Sequence, residues 1–186
     1  MFAVFERVKN IILTPTVEAR PLMEEEVDIR GIFSNYLLYV AALPALGLIL
    51  SFGSYYGFFF RMRYALVSYA ALLATFYIGA KIIEQLSSRF DAVPNFENSL
   101  KMLAYAATPF MVGGLFQFLG GLGSLLLLAG VVYSLYLFYT GLPVFMATPS
   151  ERVIPFLAVA VALNVVVYMV LLWVLLPIFG LRMVSW

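Results

Sequence analysis

Histidine and cysteine are both absent from this 186-residue chain, and only 11% of it is charged. The first absence excludes zinc sites and haem ligation built on those residues, thiol catalysis, and Ser–His or Cys–His pairs. It also leaves no disulfide from which to read a redox compartment. The scarcity of charge, with a net of +1, argues against a broad electrostatic footprint for nucleic acid. Hydrophobic residues fill the space, at 64% of the chain, against roughly 45–50% in a soluble domain. A water-soluble fold of this length has no interior large enough for that surface. The chain reads as an integral membrane protein.

A membrane helix takes about 20 mostly apolar residues. Five segments qualify: 32–52, 64–83, 100–119, 122–142 and 153–176. Their runs are continuously apolar, without the in/out alternation of barrel strands. The expected fold is therefore an all-α membrane protein with five transmembrane helices at 31–186, preceded by a cytoplasmic arm at 1–30. Gly120-Gly121 joins the third and fourth segments so tightly that they must form an antiparallel hairpin. Lys and Arg set the orientation. Arg7, Lys9, Arg20, Arg30, Lys81, Arg89, Lys101 and Arg152 fall on one side of a five-span topology, with Arg61, Arg63 and Arg182 on the other. All ten carboxylates join the larger group. This places the N-terminus in the cytoplasm and the C-terminus outside.

Within the arm, Met1, Val4, Phe5, Val8, Ile11 and Ile12 gather on one side of a helical wheel, opposite Glu6, Arg7 and Asn10. Thr14-Pro15 ends that pattern, because the residue before proline is pushed out of the helical region. The reading is an interfacial amphipathic helix, with a helix packed on the membrane domain as the alternative. The acidic run Glu24-Glu25-Glu26 with Asp28 lacks the loop spacing of a calcium site. It reads as a solvated patch able to dock a basic partner.

An ionisable residue inside a span is a functional hypothesis by default. Lys81 is the one candidate, within about a turn of the end of the second span, from where it can snorkel or pair with Glu84. Neutral polar residues form stripes. Tyr105 and Thr108 share a face of the third span, followed by Pro109. Tyr133, Tyr136 and Thr140 share one on the fourth, and Asn164 and Tyr168 are four apart on the fifth. These stripes serve interhelical hydrogen bonding or line a cavity for a solute, lipid group or ion. Small-xxx-small pairs, Ala70/Ala74, Ala104/Thr108 and Ala158/Ala162, favour a compact bundle and are compatible with a homo-oligomer. Gly120-Gly121-Leu122-Gly123 has no strand before it and no cation beside it, so it reads as a turn and not a phosphate cradle.

Several stretches together resemble the Yip family, named for Rab-GTPase-interacting membrane proteins, in its prokaryotic form. These are Arg7-Val8-Lys9-Asn10-Ile11-Ile12-Leu13-Thr14-Pro15 with the acidic segment after it; Ala104-Tyr105-Ala106-Ala107-Thr108-Pro109; and the run from Tyr133 to Gly141-Leu142-Pro143. The resemblance covers nearly the whole chain and implies a five-span architecture with a cytoplasmic N-terminus. The longer N-terminal region and the aspartate-leucine-tyrosine-glycine-proline motif of eukaryotic relatives are missing here, so Rab GTPase binding is not carried over.

The leading expectation is a non-enzymatic scaffold or trafficking-type protein in a prokaryotic plasma membrane. It uses no cofactor or metal and no nucleic acid, and its partners are membrane lipids and other membrane proteins. The alternative is a transporter or channel for a small solute, ion or lipid, built on the stripe between the third and fourth helices. An enzyme is not expected, since no general base is evident in the spans.

Overall fold

A computed structural model describes residues 2–25, 28–51 and 57–181. Met1, Glu26 and Arg182, named above, and residue 52 at the end of the first expected span lie outside the described residues. There is no strand among the described residues. Two short helices, α1 (Phe2–Leu13) and α2 (Pro15–Glu24), precede five long ones. The long helices are α3 (Ile29–Leu50), α4 (Phe58–Phe90), α5 (Phe96–Leu119), α6 (Gly121–Met146) and α7 (Ser150–Ile178), each long and apolar enough to cross a membrane.

Caps and turns fall where local chemistry calls for them. Asp28 accepts the Gly31 N–H at 2.8 Å to start α3, and Asn95 accepts the Asn98 N–H at 2.9 Å to start α5. Each satisfies a donor that has no intrahelical partner. Gly120, at φ 62, makes the turn between α5 and α6, a conformation that costs a glycine little. α4 begins at Phe58, so Arg61 and Arg63 lie in a helix instead of the loop expected before residue 64.

α5 is the central helix: it packs along α6, α4 and α3 and also meets the arm. The α5–α6 contact is close because Gly130 faces the α5 backbone. A Cβ there would come within 2.5 Å of the Pro109 carbonyl. α7 packs mainly on α4 and touches α6 lightly. Of the small-residue pairs read from the sequence, only Ala104/Thr108 is fully buried; Ala70, Ala158 and Ala162 are exposed. Close approach depends instead on glycines, including Gly79, whose open face is filled by the Asn164 side chain.

The arm differs from a single interfacial helix. Thr14-Pro15 ends α1 as expected, but α2 starts at once, because proline's missing N–H is tolerated in a first helical turn. α1 and α2 fold back on each other, tied by Arg7–Glu25 at 2.7 Å. Ile11, at 1% exposure, is turned into the bundle, while Phe5, Leu13 and Val17 stay exposed. The amphipathic stripe therefore meets protein on one side and leaves a second apolar set facing outward.

Candidate functional site

Where the arm meets the bundle, three backbone carbonyls of the arm accept hydrogen bonds from long-helix side chains. The Tyr133 hydroxyl donates to Ile12 O at 2.9 Å. Tyr105 donates to Pro15 O at 2.9 Å, and Lys101 Nζ donates to Glu25 O at 2.5 Å. The Ile12 carbonyl is available because helix ends leave their last carbonyls unpaired. Lys101 also pairs with Glu97 at 2.9 Å, so its buried ammonium has both charge and hydrogen-bond compensation. Tyr105 lies about 13 Å along α5 from Phe96, at a rise of ~1.5 Å per residue. The Thr14-Pro15 elbow thus sits alongside α5 and α6, well within their length.

One step deeper, Tyr36 of α3 meets Thr108 of α5 at 2.6 Å, both buried. Thr108 donates its own proton to Ala104 O at 2.9 Å, so Tyr36 is the donor of the shared bond. Tyr36 lies in a widened turn of α3, Phe33–Leu37, with π-type hydrogen bonding. Such turns insert an extra residue and redirect the side chains beside it. Between this turn, the arm and α5 lies a cavity of about 80 Å³, lined by Arg7, Glu25, Asn35, Tyr36, Lys101 and Tyr105 among others. That is more than the minimum needed to hold a water.

The structure thus brings Tyr105 and Tyr133 together under the arm, but not the whole stripe. Thr108 turns to α3. Tyr136 stacks on Tyr133 at 5.8 Å and is 46% exposed. Thr140 bonds back to the Tyr136 and Leu137 carbonyls of its own helix. Asn164 donates to Ala160 O at 2.8 Å, and its Oδ1 is buried without a partner. Lys81 pairs with Glu84 at 2.8 Å and sits 4.1 Å from the Phe96 ring centre, a cation–π contact. The acidic run is divided: Glu24 is exposed, Glu25 turns inward to Arg7, and Asp28 caps α3. Among the described residues there is no group of three or more metal-ligating side chains.

Sequence reasoning missed Tyr36, the function of Lys101 and the arm's carbonyls. Backbone acceptors carry no residue signature, so nothing in the spacing could have flagged them. Tyr36 had a signal in its match of depth with Thr108, but helix adjacency was needed to use it.

Residues 9–179 match the family model described as the Yip1 domain. No curated protein matches the chain, and no solved structure does.

Proposed function

The chain belongs to the Yip1 domain family, and from that premise we propose that it is a non-enzymatic membrane scaffold. It recruits a partner through the arm end of the bundle, which faces the cytoplasm. The observation that carries this reading is the docked arm. Tyr105, Tyr133 and Lys101 hold it by its backbone, leaving charged side chains outside the Arg7–Glu25 pair available for other contacts. Glu6, Lys9, Arg20, Glu24 and Arg30 are all exposed there. Charge concentrated on a fixed surface favours selective encounter with a complementary partner. The same contacts disfavour the transport reading, because Tyr105 and Tyr133 of the stripe are bonded to the arm and α5 packs directly on α6.

The test is capture of the tagged protein from its native membrane into nanodiscs, comparing wild type with Arg20→Glu/Glu24→Lys. These two exposed side chains leave the carbonyl contacts intact. The scaffold reading expects one stoichiometric protein that is recovered with wild type and lost from the variant. Recovery of the same companions with both proteins, or of none with either, would sink it.

A further inference from the structure

Away from the arm, two cavities lie against each other among α3–α7. The first is a cleft of about 290 Å³ whose walls include Leu103, Ala107, Leu135, Phe138 and Val165. It opens where α7 leans on α4 and leaves a gap beside α6. The second is a chamber of about 220 Å³ toward the opposite end from the arm, with Tyr64, Ser68, Tyr69 and Gln117 in its wall. Leu72, Phe110 and Tyr168 belong to both walls, so the two cavities are neighbours that share these side chains. From Tyr64 to Phe76 the pair runs about 18 Å along α4, at ~1.5 Å per residue.

Their chemistry is graded. The exposed surface of the cleft is almost wholly apolar, because Thr75 and Ser134 in its wall are bonded to backbone and Asn164 is turned to Gly79, whereas the chamber gathers hydroxyls and an amide. No charged residue lines either one; Arg61 and Arg63, just before Tyr64 on α4, are outside both linings. Ser68 is 6% exposed, and its hydroxyl has no hydrogen-bond partner. Tyr168 is a neighbouring hydroxyl, near enough to interact with Ser68 but outside good hydrogen-bond geometry. Tyr69, by contrast, donates to Leu38 O at 2.9 Å. A buried hydroxyl without a partner costs free energy that a bound polar group can recover.

We propose that the two cavities together hold one molecule of an uncharged amphiphilic lipid. Its hydroxyl- or carbonyl-bearing head lies in the chamber beside Ser68, and its hydrocarbon chain lies in the cleft against Leu135 and Phe138. A phospholipid is disfavoured because the chamber has no cation to compensate a phosphate. An apolar cleft with a few convergent polar groups is the usual form of a small-molecule site. This inference does not depend on the scaffold reading, since none of the residues that hold the arm lines either cavity.

The test uses purified protein in phosphatidylcholine nanodiscs, doped with dioleoylglycerol or with dioleoyl phosphatidylglycerol. Ligand that binds the folded state raises the unfolding temperature with dose. The rise is expected with dioleoylglycerol and not with the anionic lipid. Ser68→Ala, which removes only the hydroxyl, should weaken the response by roughly fivefold, the equivalent of one hydrogen bond. Leu135→Trp, which fills the cleft from an exposed position, should abolish it. Tyr36→Phe at the arm end should leave it unchanged. Equal responses to both lipids, no response to dioleoylglycerol, or a full response in both cavity variants would each overturn the proposal. If Leu135→Trp does not fold, the Ser68→Ala comparison still decides.

Discussion

α5 and α7 are both long apolar helices, yet they hold opposite places in the bundle. α5 has the lowest mean hydropathy of the five, 1.4, and 56% of its most apolar 18-residue stretch is buried inside the protein. α7 has the highest, 2.7, with 11% buried. In water the order would be reversed. In lipid, apolar side chains gain nothing by leaving the solvent, so close packing and hydrogen bonding decide which helix goes inside. α5 has the means: Thr108 for Tyr36, Tyr105 and Lys101 for the arm, and Gly113 against α6. α7 has Asn164 and Tyr168 and otherwise a surface mostly of Ile, Val, Leu, Met and Trp, which a hydrocarbon layer accommodates well.

The first way to break this comparison is to truncate a side chain of the inner helix. Met111 is 0% exposed on α5, and Met111→Ala should cost about 2–5 kcal/mol of stability through lost contacts and an unfilled cavity. Reversible unfolding in mixed micelles reads it directly. A loss below 1 kcal/mol, roughly the value for a surface change, would mean that the centre of the bundle is loosely packed.

The single polar seam of α7 is the next point to probe. Asn164 lies over Gly79, and a Cβ at residue 79 would collide with its amide. Gly79→Ala should destabilise by about 1–3 kcal/mol as overpacking. In an Asn164→Ala background the same change should be nearly free. The double-mutant cycle isolates the coupling, and additive effects would show that the two residues do not meet.

Smaller effects are expected where the arm is held. Tyr105→Phe and Tyr133→Phe each remove one hydroxyl-to-carbonyl bond, worth about 0.6 kcal/mol in a membrane setting. Global stability should hardly change, while hydrogen exchange of residues 2–25 should rise in each variant and further in the pair. Unchanged exchange would show that Lys101 and the packing of Ile11 hold the arm without the tyrosines.

These contrasts also explain how much was legible beforehand. The five spans were visible because hydropathy over about 20 residues is a property of the segment itself. The Gly120 turn and Lys81–Glu84 were visible because their partners are close in sequence. The fold-back of the arm was not: Thr14-Pro15 reads equally as a helix end and as an elbow. Nor was the division of the polar stripe visible. Tyr105, Thr108, Tyr133 and Tyr136 share depth on a hairpin, but their partners are carbonyls of the arm and a tyrosine on α3. The sequence supplied the donors without the identity of what they meet.

The smallest effect belongs to the outer helix, and it tests the lipid side of the argument. Val166 is 54% exposed on α7 and lines neither cavity. Val166→Ala removes apolar contacts, but lipid chains move in to replace them, and alanine is the better helix former by up to ~0.7 kcal/mol. Stability should stay within about 0.5 kcal/mol of wild type. A loss approaching that of Met111→Ala would require a rigid surface against Val166 that fluid lipid does not provide. The remaining candidate would be a second protein chain, and sedimentation of the variant against wild type in the same detergent would show whether an assembly had come apart.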